Sequence, residues 1–362
     1  MMPGFCGSYR PEDVHILLKP MALAGIADVA EKERLIQSGA RHYSEMITPE
    51  KAPSARYLDL FHQAFAQNRQ TMARDVLRLA DRLATRTGDI TLVSLARAGT
   101  PVGVLLRHTL QRVHARPAAH YSISIIRDLG IDRNALDYIL ARHPAESLVF
   151  IDGWTGKGVI TRELVHSIAA FNAERGCQIS PDLYVLSDLA GCATVAASGD
   201  DYLIPSSILN ATVSGLVSRS ILNEAIGPAD FHGCLFYREF ASIDLSQWFI
   251  DEVLADIQQL AHNPARAFAA PDRQTLAATS ARFMADMRAR FGIHNENLIK
   301  PGIGEATRVL LRRLPERVLV QDPAHPAVQH LLALAAEKAV PVEHDPDLPY
   351  AAASLIRSLA DA

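Results

Sequence analysis

Residues 147–158 read Ser-Leu-Val-Phe-Ile-Asp-Gly-Trp-Thr-Gly-Lys-Gly, and this stretch decides the fold class. A short apolar run ends in the carboxylate of Asp152. A turn of Gly153, Trp154, Thr155, Gly156, Lys157 and Gly158 follows, and helical spacing starts near Val159. A strand that passes through a glycine-rich turn into a helix offers backbone N–H groups and a helix N-terminus to an anion. Asp152 falls at the C-terminal end of its strand, where open α/β sheets place their ligands. The turn is not a Walker loop. The glycine required five residues before Gly156 is replaced by Ile151, and Lys157 is followed by Gly158 instead of Ser or Thr.

A second joint of the same kind lies at Ser94-Leu95-Ala96-Arg97-Ala98-Gly99-Thr100-Pro101. Thr100 suits a helix N-cap and Pro101 the first helical position, and Arg97 carries a planar fork matched to phosphate. Further apolar runs at 121–126, 183–187, 202–205 and 235–237 alternate with helical patterns at 101–113, 159–175 and 211–222. This alternation predicts an α/β core over residues 90–243 with a mainly parallel sheet. Residues 1–89 read as an N-terminal helical segment, with a helix over 26–38 and a long one over 55–86 capped by Ser54. Helices over 245–261 and 273–291, with an Ala-Pro-rich linker near 262–272, form a helical connection spanning 244–292. Residues 293–362 read as a small α/β domain in the order helix (304–314), strand (317–321), helix (326–339), strand (340–343), helix (350–359).

The chain has 362 residues, 49% of them apolar and 21% charged, with a net charge of −4. That describes a globular protein whose overall charge draws it neither to nucleic acid nor to an anionic membrane. No apolar run is long enough to span a bilayer, and the N-terminus lacks a secretory pattern. The cysteines, Cys6, Cys177, Cys192 and Cys234, show no CxxC spacing. Reduced thiols and a cytoplasmic location are the expectation.

Two further groups bear on chemistry. Arg127-Asp128 ends the 121–126 run, and in a parallel sheet both charges would reach the same cleft. In His232-Gly233-Cys234 an imidazole and a thiol share one strand face if Gly233 is extended, which makes contact possible, and Cys192 follows the 183–187 run. Cysteine protease chemistry needs a thiolate beside a base, and no local protease signature is present.

Strand, Asp152 and Thr155-Gly156-Lys157-Gly158 together resemble the phosphoribosyl pyrophosphate loop of type I phosphoribosyltransferases, and Arg97-Ala98-Gly99 resembles their pyrophosphate loop. The resemblance implies that Asp152 holds a ribose, that Thr155, Gly156, Lys157 and Gly158 cradle a 5-phosphate, and that Arg97, Ala98 and Gly99 meet pyrophosphate with Mg²⁺. Arg127 and Asp128 then join Asp152 as catalytic candidates, stabilising charge that leaves on pyrophosphate. The metal's own ligands are not assigned. Such enzymes usually carry two adjacent acidic residues, whereas Asp152 stands between Ile151 and Gly153. Over its whole length the chain resembles a bacterial family of phosphoribosyltransferase-like proteins linked to tellurium-resistance and stress gene clusters, also labelled StiP-type cysteine proteases. The residues carrying this are Gln37-Ser38-Gly39, His42-Tyr43-Ser44-Glu45, the Asp152–Gly158 loop, Asp201-Tyr202-Leu203-Ile204-Pro205 and Ser214-Gly215-Leu216-Val217-Ser218-Arg219. Residues 295–360 resemble the Pelota/L7Ae-type RNA-binding domain. The resemblance implies that Lys300, Gly302, Gly304, Arg308 and Arg312 contact a structured RNA, with Gly304 standing where that family has Asn.

The leading expectation is therefore an Mg²⁺-dependent phosphoribosyltransferase-like enzyme that uses phosphoribosyl pyrophosphate or a related phosphosugar or nucleotide and is coupled to RNA. A non-catalytic nucleotide and RNA sensor is the second reading and a cysteine protease the third. The oligomeric state is left open.

Overall fold

The computed structural model describes residues 5–22, 28–262 and 269–357. Its core is a six-stranded sheet of β1 (His15–Leu17), β2 (Thr91–Leu95), β3 (Ala119–Ile123), β4 (Leu148–Thr155), β5 (Leu183–Asp188) and β6 (Val195–Ser198). The spatial order is β1-β3-β2-β4-β5-β6, and every pairing is parallel. Strand order reverses between β2 and β4, which opens a crevice beyond their C-terminal ends.

Helix α1 (Val29–Gln37) lies within the stretch expected to be helical at 26–38, and further helices cover both faces of the sheet. On one side lie α2 (Ala55–Ala84), α3 (Gly99–His114) and α6 (Ser246–Ala261). Phe61, Phe65, Met72, Val76, Leu79 and Leu83 recur at helical spacing along α2 and are all buried there. Ser54 caps α2 by accepting the Tyr57 N–H. On the other side, Leu136 and Ile139 of α4 (Arg133–Leu140) and Leu164, Ile168 and Phe171 of α5 (Val159–Arg175) cover Leu95, Phe150 and Val185. Neighbouring strand residues serve opposite layers, with Val149 and Ile151 in the first and Leu148 and Phe150 in the second. Each such side chain contributes about 1.5–3 kcal/mol when fully buried.

The C-terminal domain follows α7 (Arg273–Phe291). Its sheet contains β7 (Ile299–Pro301), β8 (Pro315–Val320), β9 (Val342–His344) and β10 (Ala352–Ile356) in the order β7-β10-β8-β9, with α8 (Ile303–Arg312) and α9 (Gln329–Glu337).

Several expectations are corrected. The helix expected at 350–359 is strand β10, antiparallel to both β7 and β8 and buried along its whole length; residues 358 and 359 lie outside the described residues. A short continuous apolar run has no periodicity to separate a central strand from a helix. The helix expected at 211–222 shrinks to one 3₁₀ turn, Ala211–Val213. Gly215 and Leu216 then take positive φ, a conformation that ends a helix. Residues 202–205 form no paired strand, and the sheet's sixth strand is instead Val195–Ser198, whose small residues carry little strand signal. In the 235–237 run only Phe236 pairs, through an isolated bridge to Val217. Part of the linker expected near 262–272, including Asn263-Pro264, lies outside the described residues.

Candidate functional site

Strand β4 runs three residues further than the sequence predicts. Asp152 pairs with Val185, Trp154 with Ser187 and Thr155 with Asp188, so the turn itself is only Gly156–Gly158. Asp152 therefore sits inside the strand at the crevice. Its carboxyl is raised to about 6 by burial, offset in part by the Gly153 N–H that donates to it (2.8 Å) and by Arg308. The first turn of α3 lies against this strand. A Cβ at Gly99 would collide with the carbonyl oxygen of Ile151, so only glycine permits that approach.

The residues expected to cradle phosphate are engaged otherwise. The Thr155 hydroxyl donates to Asp188 Oδ1 (2.5 Å). Gly156 faces Pro301 and Glu305 of the C-terminal domain. Lys157 Nζ donates to the carbonyls of Glu296 and Ile299 (3.3 Å to the latter), and burial, with Lys300 nearby, lowers it to about 7. Gly158 takes φ +72°, caps α5 and lies against the sulfur of Cys192. Arg97 forms an ion pair with Glu50 (2.6 Å) and donates to Asn210 Oδ1 and Val217 O. Ala98 lies beside Gly153 across the crevice. Arg127 and Asp128 pair with each other (2.9 Å), while the Tyr43 hydroxyl accepts the Arg127 N–H and Glu163 accepts the Asp128 N–H. Neither of these two side chains is bonded to Asp152.

The RNA-contact candidates face inward. Arg308 stacks on Trp154 (4.3 Å to the ring centroid) and pairs with Glu305 (3.3 Å). Gly304 fits against the Trp154 ring. Lys300 lies 3.8 Å from Glu305, and burial lowers its pKa. Gly302, at φ +86°, abuts Leu189 and Asp201. Arg312 ends α8, and its side chain lies outside the described residues. Asp201 locks the domains together. Its two carboxylate oxygens accept the N–H groups of Ile303 (2.9 Å) and Ala351 (3.0 Å), and burial raises its carboxyl to about 6.

This buried charge sets a pH dependence. Asp152 and Asp201 have an ordinary value of 3.8. Between there and about 6 the folded protein holds protons that the unfolded chain has released, so stability falls as pH rises through that window. Lys157 behaves oppositely. Between about 7 and its ordinary 10.5 the unfolded chain holds the extra proton, so stability rises with pH. Thermal melting across pH should show that alkaline rise in the wild type and a flatter limb in Lys157→Met. An unchanged alkaline limb would count against the assignment.

Among the cysteines, Cys234 is fully buried and its thiol is pushed up to about 12. The imidazole of His232, two residues away, bonds through Nδ1 to Ser124 Oγ (2.8 Å), and no hydrogen bond joins it to the Cys234 thiol among the described residues. Cys177 donates to Asn172 Oδ1 beyond the far end of α5. Cys192 alone lies at the crevice. Its sulfur is 3.3 Å from Thr161 Oγ1, 3.4 Å from Thr155 Oγ1 and 3.8 Å from Asp188 Oδ1. Burial raises this thiol, and the charge of Asp188 adds to the shift. Asp188 escaped the sequence reading although it follows an apolar run at the sheet's C-terminal edge, the pattern that singled out Asp152. Among the described residues, no three His, Cys, Asp or Glu side chains are placed to share a metal ion, so no residue is assigned to the expected Mg²⁺. Among them, too, no helix is long and apolar enough to cross a membrane.

A sequence model of the family described as tellurite-like stress resistance cysteine protease StiP matches residues 7–254, and the PELOTA RNA binding domain matches residues 278–358. The chain is 44% identical to the cysteine protease StiP of Acinetobacter baylyi over 98% of its own length and 95% of that protein's. Solved structures give weaker likenesses. The hypoxanthine phosphoribosyltransferase of Trypanosoma cruzi covers 37% of this chain (82% of its own) at 12% identity and a TM-score of 0.27. The same enzyme in complex with the product IMP covers 50% (92% of its own) at 13% identity and a TM-score of 0.25. These values carry no functional argument. The expectation of a glycosyl-transferring, phosphoribosyl pyrophosphate-binding enzyme is therefore corrected, because the family and the full-length relative are both named as cysteine proteases. The sensor reading falls with it.

Proposed function

We propose that this chain, which belongs to the tellurite-like stress resistance cysteine protease StiP family, hydrolyses peptide bonds with Cys192 as the nucleophile. One observation carries the assignment: Cys192 is the one cysteine among the described residues that borders the crevice at the C-terminal edge of the parallel sheet, beside the N-terminus of α5. Cys6 precedes the family-matched residues, Cys177 lies at the other end of α5, and Cys234 is sealed.

The neighbours of Cys192 define the chemistry. The thiol is protonated at rest, because burial and the Asp188 carboxylate both oppose a second negative charge. As sulfur bonds to the peptide carbonyl carbon, Asp188 accepts the thiol proton. The carbonyl oxygen gains negative charge towards the N-terminus of α5, where helix N–H groups and the dipole favour it. The C–N bond then breaks, the departing amine takes the proton from Asp188, and water hydrolyses the thioester. The hydroxyls of Thr155 and Thr161 hold the sulfur in place.

The C-terminal domain supplies RNA contact in this reading. With Lys300, Gly302, Gly304 and Arg308 turned towards the core, RNA reaches them only on an undocked domain, so RNA binding and the closed crevice exclude one another. Four unpaired cysteines suit a reducing cytoplasm. A thiol-directed peptide probe, mapped by mass spectrometry, tests the assignment. Modification of Cys192 that tracks loss of peptidase activity is the expected result; inactivation with Cys192 unmodified would overturn it.

A further inference from the structure

A cavity of about 420 Å³ lies where the N-terminal segment, the core and the C-terminal domain meet. It shares no residue with the contacts of Cys192. Its charged lining is Lys32, Lys51, Arg97, Arg219, Lys338 and Glu50, five cations against one carboxylate. That carboxylate is fully engaged: Glu50 pairs with Arg97 through one oxygen and accepts the Ala211 N–H (2.8 Å) through the other.

Arg219 is the telling residue. Its guanidinium donates to the carbonyls of Tyr43 (2.8 Å), Met46 and Ser220. Among the described residues no carboxylate pairs with it. Carbonyls satisfy the donors and leave the charge uncancelled. Burial lowers its pKa to about 10, and the charge of Arg97 acts in the same direction. The ammonium groups of Lys51 and Lys338, on exposed residues at the rim of the cavity, have no hydrogen bond or ion pair among the described residues. A charge left uncancelled where burial keeps solvent away, as at Arg219, is unfavourable unless a counter-ion joins it. The remaining walls include Tyr57, Phe240 and Leu311, and the volume is that of a small-molecule pocket, larger than one inorganic ion needs.

We propose that this chamber binds a small organic anion with at least two negative charges, set against Arg219, Lys51 and Lys338 with its apolar part on Tyr57 and Phe240. Because Leu311 and Lys338 come from the C-terminal domain and Lys51 from the N-terminal segment, the bound anion braces all three parts of the chain. Citrate and inorganic tripolyphosphate serve as probes, titrated into the full chain at constant ionic strength and followed by calorimetry and thermal melting. Binding of at least one is expected, with a Tm that climbs with ligand concentration; which of the two binds separates carboxylate from phosphate recognition. In the double variant Lys51→Gln/Lys338→Gln affinity should fall about tenfold or more, a change of about 1.4 kcal/mol or more. These side chains are exposed and make no hydrogen bond or ion pair among the described residues, so the variant should melt as the free wild type does. Binding by neither probe, an equal Tm rise with NaCl alone, or undiminished affinity in the double variant would overturn the proposal.

Discussion

Replacing Cys192 by alanine is expected to abolish peptide hydrolysis, lowering kcat by roughly 10³-fold or more, while the chain stays folded. Loss of the nucleophile removes the covalent route altogether. The structural cost is small, on the order of 1 kcal/mol, because the sulfur makes only weak contacts with two hydroxyls and a carboxylate. The other cysteines serve as controls. Cys234→Ala should lower stability through a buried cavity and leave kcat intact in the folded fraction, and Cys177→Ala should change neither strongly. Asp188→Asn separates the base from the scaffold. Asp188 also accepts the N–H groups of Ala190 (2.9 Å) and Ala193 (2.8 Å), which shape the Cys192 loop. A role as base predicts a shifted pH–rate profile, whereas a purely structural role predicts a lower Tm with the profile unmoved. Full peptidase activity in Cys192→Ala, assayed with a fluorogenic peptide, would end the assignment.

Asp201→Ala should release the C-terminal domain from the core. Two backbone N–H groups, of buried Ile303 and half-buried Ala351, would lose their acceptor at once, and an N–H left unsatisfied away from water costs about 1–3 kcal/mol. Other contacts at this junction, Trp154 on Arg308 and Lys157 on the carbonyls of Glu296 and Ile299, cluster around the crevice, while Arg313 on Glu33 and Arg56 on Glu337 tie the domain to the N-terminal segment. The loop that carries Cys192 is also covered from this side: the Tyr350 hydroxyl donates to Leu189 O (3.3 Å), and Gly191 touches Arg273 at the start of α7. Undocking should therefore speed alkylation of Cys192 and strengthen RNA binding. Unchanged alkylation and RNA affinity in a folded Asp201→Ala protein would mean that the junction holds without this carboxylate.

The spacing of Phe61, Phe65, Met72, Val76, Leu79 and Leu83 was enough to place α2, and the apolar runs before Arg97 and Asp152 were enough to place two adjacent parallel strands. Periodicity survives into the structure because burial acts on one face of each element. It fails where tertiary contacts decide. The run at 352–356 became a strand because β7 and β8 pair with both its edges, and the Ser214–Arg219 segment left the helical path at Gly215. The cysteines show the same divide. Their positions in the sequence could not rank them, since what separates Cys192 from Cys234 is burial and the arrival of Thr155, Thr161 and Asp188 from other segments.

By itself the sequence determined the layered α/β core, the crevice beyond β2 and β4, and a small C-terminal α/β domain, all of which follow from local patterning. Tertiary structure alone decided which groups the crevice contains and which surfaces are covered. Lys157, Lys300 and Arg308 look like free cations for phosphate or RNA in one dimension. Folding turns them onto carbonyls, Glu305 and Trp154. A charged side chain's role is set by the partners that share its low-dielectric surroundings, and those partners come from segments distant in the chain.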